Sequence, residues 1–413
     1  MLEKDIQSPD HWVLNDDWSD LSGRQAPPEV DFDRLSAYRI GRIKQELIKH
    51  DAAMCVLVNP ITLRYAADYA TYALFQSHIP TTYLFVPQEG PIVIYNVYGP
   101  PPGVDEARSG RPLSFFNGGP EMAEASRLLA DDIVEYLKEI GTDNRRVAVE
   151  YVNPSLTQAM MQRGLETVDG VLISEAARLI KSEDEIACIR WAVAVADLGI
   201  QKMKEALKPG IKEVQLWALL NYANLANNGG WHDGRMLASG PRANPWCQEA
   251  SERRVEAGDL VSFDTDMVGP NGYFADISRC FFCGPGQPSR RQKQLYRLAV
   301  EEIENNLKLV RPGMTMNEFR ERAWPTPEEF HENAYSCILH GVGMCDEAPN
   351  IVPPFREGNF YDLTFEPGMV VCVESYMGAV GEGDGVKLEQ QVLITPDGYE
   401  LLSTYPYEES LLD

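Results

Sequence analysis

Apolar and polar positions along the chain change period several times, and each change marks an element. From Arg39 to His50 the apolar residues fall at helical spacing, and Met54 to Val58 reads as a fully buried strand. TTYLFVP and PIVIYNVY read as a hairpin pair, and a helical pattern from Ala123 to Ile140 precedes the strand RVAVEYV. This alternation predicts an α/β first domain over residues 31–178. Residues 1–30 are polar, carry SGRQAPPEVD and read as a loosely ordered arm. A second domain over residues 179–413 opens at Lys181-Ser182-Glu183-Asp184-Glu185-Ile186, where Ser182 and Glu185 have capping-box spacing. Ile186, Ile189, Val193, Ala196, Ile200 and Met203 then share one helical face, a stripe that ordinary core packing explains.

The second domain repeats itself loosely. Leu207-Lys208-Pro209-Gly210-Ile211 closes one helix, and Val310-Arg311-Pro312-Gly313-Met314 closes another running from about Gln292 to Lys308. In Gly258 to Asp264 a carboxylate stands six residues after a turn glycine, and Gly368 to Glu374 does the same. Gly272 to Asp276 and Gly385 to Glu389 each place one four residues after a glycine. Matches in the same order predict a duplicated α+β domain whose acids meet at a pseudo-twofold axis.

Along a continuous strand Asp264 and Asp266 would share a face, and a turn at Gly269 to Gly272 would bring Asp276 back to it. Carboxylates converging among apolar strands repel one another and are costly to desolvate unless they are protonated or bound to cations. Metal is the economical solution. His340, in CILHGVG, ends an apolar run before glycines that permit close backbone approach, and offers the nitrogen that a transition metal favours. One histidine among oxygen ligands suits iron or manganese, with zinc or cobalt also compatible. His11, His50 and His78 lack acidic company of this kind, whereas His232 and His331 lie among polar loop residues as candidate pocket groups.

Composition narrows the classes. With 413 residues, 44% of them hydrophobic, the chain can fill about two domains. A net charge of -25 argues against a nucleic-acid surface, which needs clustered Lys and Arg. The start, MLEKDIQSPDHW, lacks the pattern of a secretory signal, and no window approaches the roughly 18 apolar residues of a membrane span. The eight cysteines sit in apolar stretches such as MCVLV and VVCVES, as expected of thiols in a reducing, cytoplasmic setting. The Cys280–Cys283 pair has CxxC spacing but reads as structural, since strand residues three apart face opposite sides.

The order Asp, Asp, His, Glu, Glu, with GYFADISR, HGVG and KSEDEI, resembles the creatinase, prolidase and methionine aminopeptidase superfamily over about residues 35–410. The resemblance implies a small α/β amino-terminal domain and an α+β pita-bread carboxy-terminal domain with a pseudo-twofold internal repeat. It also implies a dinuclear metal site and a homodimer. Carried over, the ligands would be Asp264 or Asp266, then Asp276, His340, Glu374 and Glu389, with Asp276 and Glu389 bridging two ions.

Two departures carry information. Peptidases of the superfamily usually place a histidine in a context like SGxNxAxPH, where this chain has Trp246. They usually place another seven residues after the metal histidine, where this chain has Glu347. These departures, with FDTDM, Cys345-Asp346-Glu347 and Tyr335, are similar to the metal-dependent dimethylsulfoniopropionate (DMSP) lyases of the DddP type. In that family both first-strand aspartates are ligands and iron is the usual metal. The base falls on Asp346, and a substrate-contacting tyrosine falls on Tyr335.

The expected substrate is a small zwitterion with a sulfonium end that prefers aromatic faces. Tyr335, Trp231 and Trp246 are the candidates, together with the stretch Tyr69 to Phe75 reaching towards a neighbouring subunit. The competing expectation is an Xaa-Pro dipeptidase or aminopeptidase using the same ions. From another class, a metal-free binding module on this fold predicts eroded ligands, whereas all six are present.

Overall fold

The computed structural model describes residues 27–413, so His11 and most of the expected arm lie outside the described residues. Two compact units follow, residues 30–184 and 185–413. In the first, the helix Phe32–Lys49 starts where the Asp31 carboxylate accepts from Arg34 N–H. The Arg34 side chain in turn grips Asp184, at the far end of the same unit, at 2.6 and 2.7 Å.

Six strands, β1 Met54–Leu57, β2 Tyr83–Pro87, β3 Val93–Tyr95, β4 Glu106–Arg108, β5 Arg146–Val149 and β6 Glu166–Asp169, form one sheet in the order β4-β3-β2-β1-β5-β6. The hairpin read from TTYLFVP and PIVIYNVY is the antiparallel pair β2 and β3. Leu129, Ile133, Tyr136 and Leu137 of the helix Met122–Glu139 bury one face against Met54, Val56, Phe85 and Val147.

The second unit holds the duplicated strands. Its first half contributes β7 Leu237–Ser239, β8 Leu260–Asp264, β9 Met267–Val268, β10 Phe274–Ala275 and β11 Ser278–Phe282. Its second half contributes β12 Leu339–Val342, β13 Asp346–Ile351, β14 Val370–Met377, β15 Val386–Thr395 and β16 Gly398–Leu401. The sheets run β11-β8-β7 and β13-β12-β14-β15-β16, with β9 and β10 as a separate hairpin around the turn Pro270–Gly272. The helices Glu183–Ala206 and Arg290–Leu307 precede the two halves, as the Pro-Gly exits predict.

Strands of the two halves meet at β8, β11 and β15. Ser262 Oγ donates to Gly385 O at 2.9 Å. Arg279, 1% exposed, donates to Ser278 O, Glu389 O and Tyr405 O. A guanidinium has five donors and can satisfy several carbonyls at once, so this buried cation clamps both halves together where the acids converge. No helix among the described residues is long and apolar enough to cross a membrane.

Candidate metal centre

β14 and β15 are antiparallel, and their register sets Glu374 directly opposite Glu389. In the first half Asp264 ends β8 opposite Ser278, and Asp276 lies between β10 and β11. The Asp276 backbone N–H donates to the Gln391 side chain at 2.9 Å, fixing it against β15. His340 comes from β12, where a bulge between His340 and Gly341 shifts the register against β13. Its Nε2 lies 3.2 Å from Glu374, 3.4 Å from Glu389 and 3.6 Å from Asp276.

One expectation about the first strand is corrected. Asp264 and Asp266 do not share a face by strand alternation, because β8 stops at Asp264 and Asp266 adopts a left-handed φ of 36°. The turn itself aims the second carboxylate. Ligand atoms of Asp264, Asp266 and Asp276 still lie within 4.8 Å of one another, as do those of Asp264, Glu374 and Glu389, and those of Asp276, His340, Cys372 and Glu389.

Burial and crowding raise the carboxyls of Asp264 and Asp276 above the usual carboxylate range, with Glu389 adding repulsion, and push Asp266 up to about 9. Burial alone would lower His340, but its hydrogen bonds to Glu374 and Glu389 outweigh that and raise it. Asp264 Oδ1 and Asp276 Oδ1 are buried without a hydrogen-bond partner. Orphaned carboxylate oxygens converging with an imidazole form a donor set that fits hard to borderline metal ions.

Two members of this cluster escaped the sequence reading. Lys387 is fully buried, and its ammonium contacts Asp264 at 2.7 Å, Ser278 Oγ at 2.7 Å, Glu389 at 3.6 Å and Glu374. A signal existed, since Lys387 stands two residues before Glu389 and therefore shares its strand face. Five carboxylates against this ammonium leave a formal charge of -4, which two divalent ions would cancel. Cys372, by the same alternation, shares a face with Glu374. Burial pushes its thiol well up and its Sγ donates to Asp276 O, so it enters as a neutral thiol.

The other expected site residues are distributed around this cradle. The ring of Tyr335 has the Lys387 ammonium 4.8 Å from its centroid, and Tyr335 lines a cleft with Glu302, Cys337 and Glu374. Asp346 Oδ1 lies 3.5 Å from His340 Nδ1, with its side chain 65% exposed. Trp231 Nε1 donates to Asp233, whereas Trp246 is 6% exposed beside Tyr376. Glu347 is buried and turned towards the backbone of Gly343 and Met344.

Residues 187–396 match the model of metallopeptidase family M24. The chain belongs to that family. Within it, the chain is 35% identical to dimethylsulfoniopropionate lyase DddP of Roseovarius nubinhibens, over 92% of this chain and 88% of that protein. The protein of the same name from Roseobacter denitrificans is 32% identical over the same shares. Among solved structures, the Xaa-Pro dipeptidase from Bacillus anthracis aligns with a TM-score of 0.73 and 22% identity, covering 90% of this chain and 99% of that one. The pita-bread fold is therefore established, and with it the architecture of family M24 around the acidic cradle.

Proposed function

We propose that the protein is a metal-dependent lyase that cleaves dimethylsulfoniopropionate to dimethyl sulfide and acrylate by base-promoted β-elimination. The observation that carries this reading is the occupant of the loop after His340. Asp346 stands at the rim of the acidic cradle, while Glu347 turns into the backbone where a peptidase would present an imidazole. The lyase relatives at 35% and 32% identity support the same choice.

Asp264, Asp266, Asp276, His340, Glu374 and Glu389 would hold two ions, taken as iron from the lyase resemblance. Ions held there would bind the substrate carboxylate and stabilise the charge that develops on it when the α-proton leaves. Asp346 takes that proton. The C–H electron pair becomes the carbon–carbon double bond, the C–S bond breaks, and its pair departs on neutral dimethyl sulfide. The exposure of Asp346 gives the proton a direct route to water.

Tyr335 and Trp231 supply aromatic faces for the sulfonium. Trp246 is less accessible, being buried against Tyr376. The reading includes a homodimer in the cytoplasm.

The metallopeptidase reading keeps the same cradle, and the family and the Xaa-Pro dipeptidase fold favour it as the second choice. Purified, metal-loaded protein incubated separately with DMSP and with an Xaa-Pro dipeptide separates the two. Headspace dimethyl sulfide is expected, and proline release without dimethyl sulfide overturns the lyase. Asp346→Asn is expected to keep its metal and lose elimination; an active variant removes Asp346 from the base role.

A further inference from the structure

The left-handed turn at Asp266 needs an external hold. A non-glycine residue in that region is strained and persists where its surroundings over-determine it. Residues 230–233 provide those surroundings. Gly230 N–H donates to Val268 O at 2.8 Å, Val268 N–H to Trp231 O at 2.9 Å, and Asp233 N–H to Asp266 O at 3.0 Å. His232 adds a side-chain bond to this strap, with Nδ1 2.7 Å from Thr265 O.

A carbonyl only accepts, so Nδ1 carries the proton and Nε2 is the bare nitrogen. Nε2 is buried without a hydrogen-bond partner, and the ring packs edge-on against Trp217 with centroids 5.1 Å apart. Burial lowers the imidazole to about 4, so the ring is neutral at neutral pH and brings no charge to compete with a cation nearby. Thr265 continues the chain of contacts. Its Oγ1 donates to Ala275 O at 2.7 Å and accepts from Ile277 N–H at 3.0 Å, so the turn bearing Asp266 is tied to the segment bearing Asp276.

We propose that His232 is a positioning residue for the metal centre: its Nδ1–H, held on Thr265 O, fixes the turn that aims the Asp266 carboxylate at Asp264 and Asp276. This rests on the reading of Asp266 as a ligand of a two-ion site.

Two variants separate the bond from the packing. His232→Phe keeps a ring against Trp217 and loses the donor, while His232→Asn loses the ring and keeps an N–H donor at a comparable reach. The measurement is metal content and affinity after anaerobic loading with Fe(II), alongside the visible spectrum with Co(II) and the unfolding midpoint of each metal-free protein. Outer-shell partners of this kind are worth about 10- to 100-fold in metal affinity.

The Phe variant is expected to bind its second ion 10- to 100-fold more weakly with an altered Co(II) spectrum. The Asn variant is expected to stay near the parent. A Phe variant with parental affinities and spectrum overturns the inference, as does an Asn variant that fails like Phe. A metal-free Phe variant that loses its fold makes the residue structural and overturns it too. A parent that binds fewer than two ions overturns the two-ion reading itself, which the parent sample reports before any variant is compared.

Discussion

Lys387→Met removes a cation buried among the acids while nearly preserving side-chain length. At an effective dielectric constant of about 20, attraction across the 2.7 Å to Asp264 is about 6 kcal/mol, and across the 3.6 Å to Glu389 about 5 kcal/mol. Desolvation of the ammonium offsets much of this, costing several kcal/mol per buried ion. Removing one partner of a buried pair nets about 3–5 kcal/mol of destabilisation, because the remaining charges stay behind uncompensated. For a unit of this size that is a fall of about 6–20 °C in unfolding midpoint.

The penalty is expected in the metal-free protein and is smaller in the loaded one. Two divalent ions would neutralise the same carboxylates, leaving a formal -1 in the variant and zero in the parent. Thermal unfolding followed by circular dichroism, in chelator and in excess metal, reads both states. A metal-free variant within about 1 kcal/mol of the parent would refute the assignment of Lys387 as an internal counter-cation. Equal losses in the two states would refute the idea that it and the metals balance the same charge.

Other outcomes follow from the surrounding packing. Glu302 lies in the cleft beside Glu374, hydrogen-bonded by Ser375 and Thr326, and burial raises its carboxyl from 4.5 to about 7. The folded chain thus holds a proton that the unfolded chain has lost, so stability falls as pH rises from about 4.5 to about 7, by roughly 3 kcal/mol from this group. Glu302→Gln should flatten that part of the pH–stability curve measured by urea unfolding, and an unchanged slope would count against it. Gly341→Ala places a methyl 2.1 Å from Ala348 O, so β12 and β13 must separate beside His340. A loss of about 1–3 kcal/mol with weaker metal binding is expected, and calorimetry with metal titration checks both. Chelation of the parent should lower its unfolding midpoint, since cations that bind only the folded cradle stabilise it by mass action.

Much of the cradle is legible along the chain because strand periodicity and glycine spacing are local properties. Asp264, Asp276, Glu374 and Glu389 announce themselves by repeating the same offsets from turn glycines, and His340 by its place between an apolar run and glycines. The helix Arg290–Leu307 and the β2–β3 hairpin also lie where the patterning puts them.

What only the tertiary structure decides is which groups face one another across strands distant in sequence. Alternation puts Lys387 on the face of Glu389, but only setting β15 against β8 and β14 makes it a buried counter-cation, because burial of a charge depends on what closes over it. The aim of Asp266 follows the same rule. Alternation predicts its direction from a strand that in fact ends at Asp264, whereas a left-handed turn, held by hydrogen bonds from residues more than thirty positions away, sets it. Spacing thus determined that carboxylates would gather, through the fixed geometry of the backbone. Long-range packing determined their charge balance and their directions, because both are set by neighbours that the local sequence does not contain.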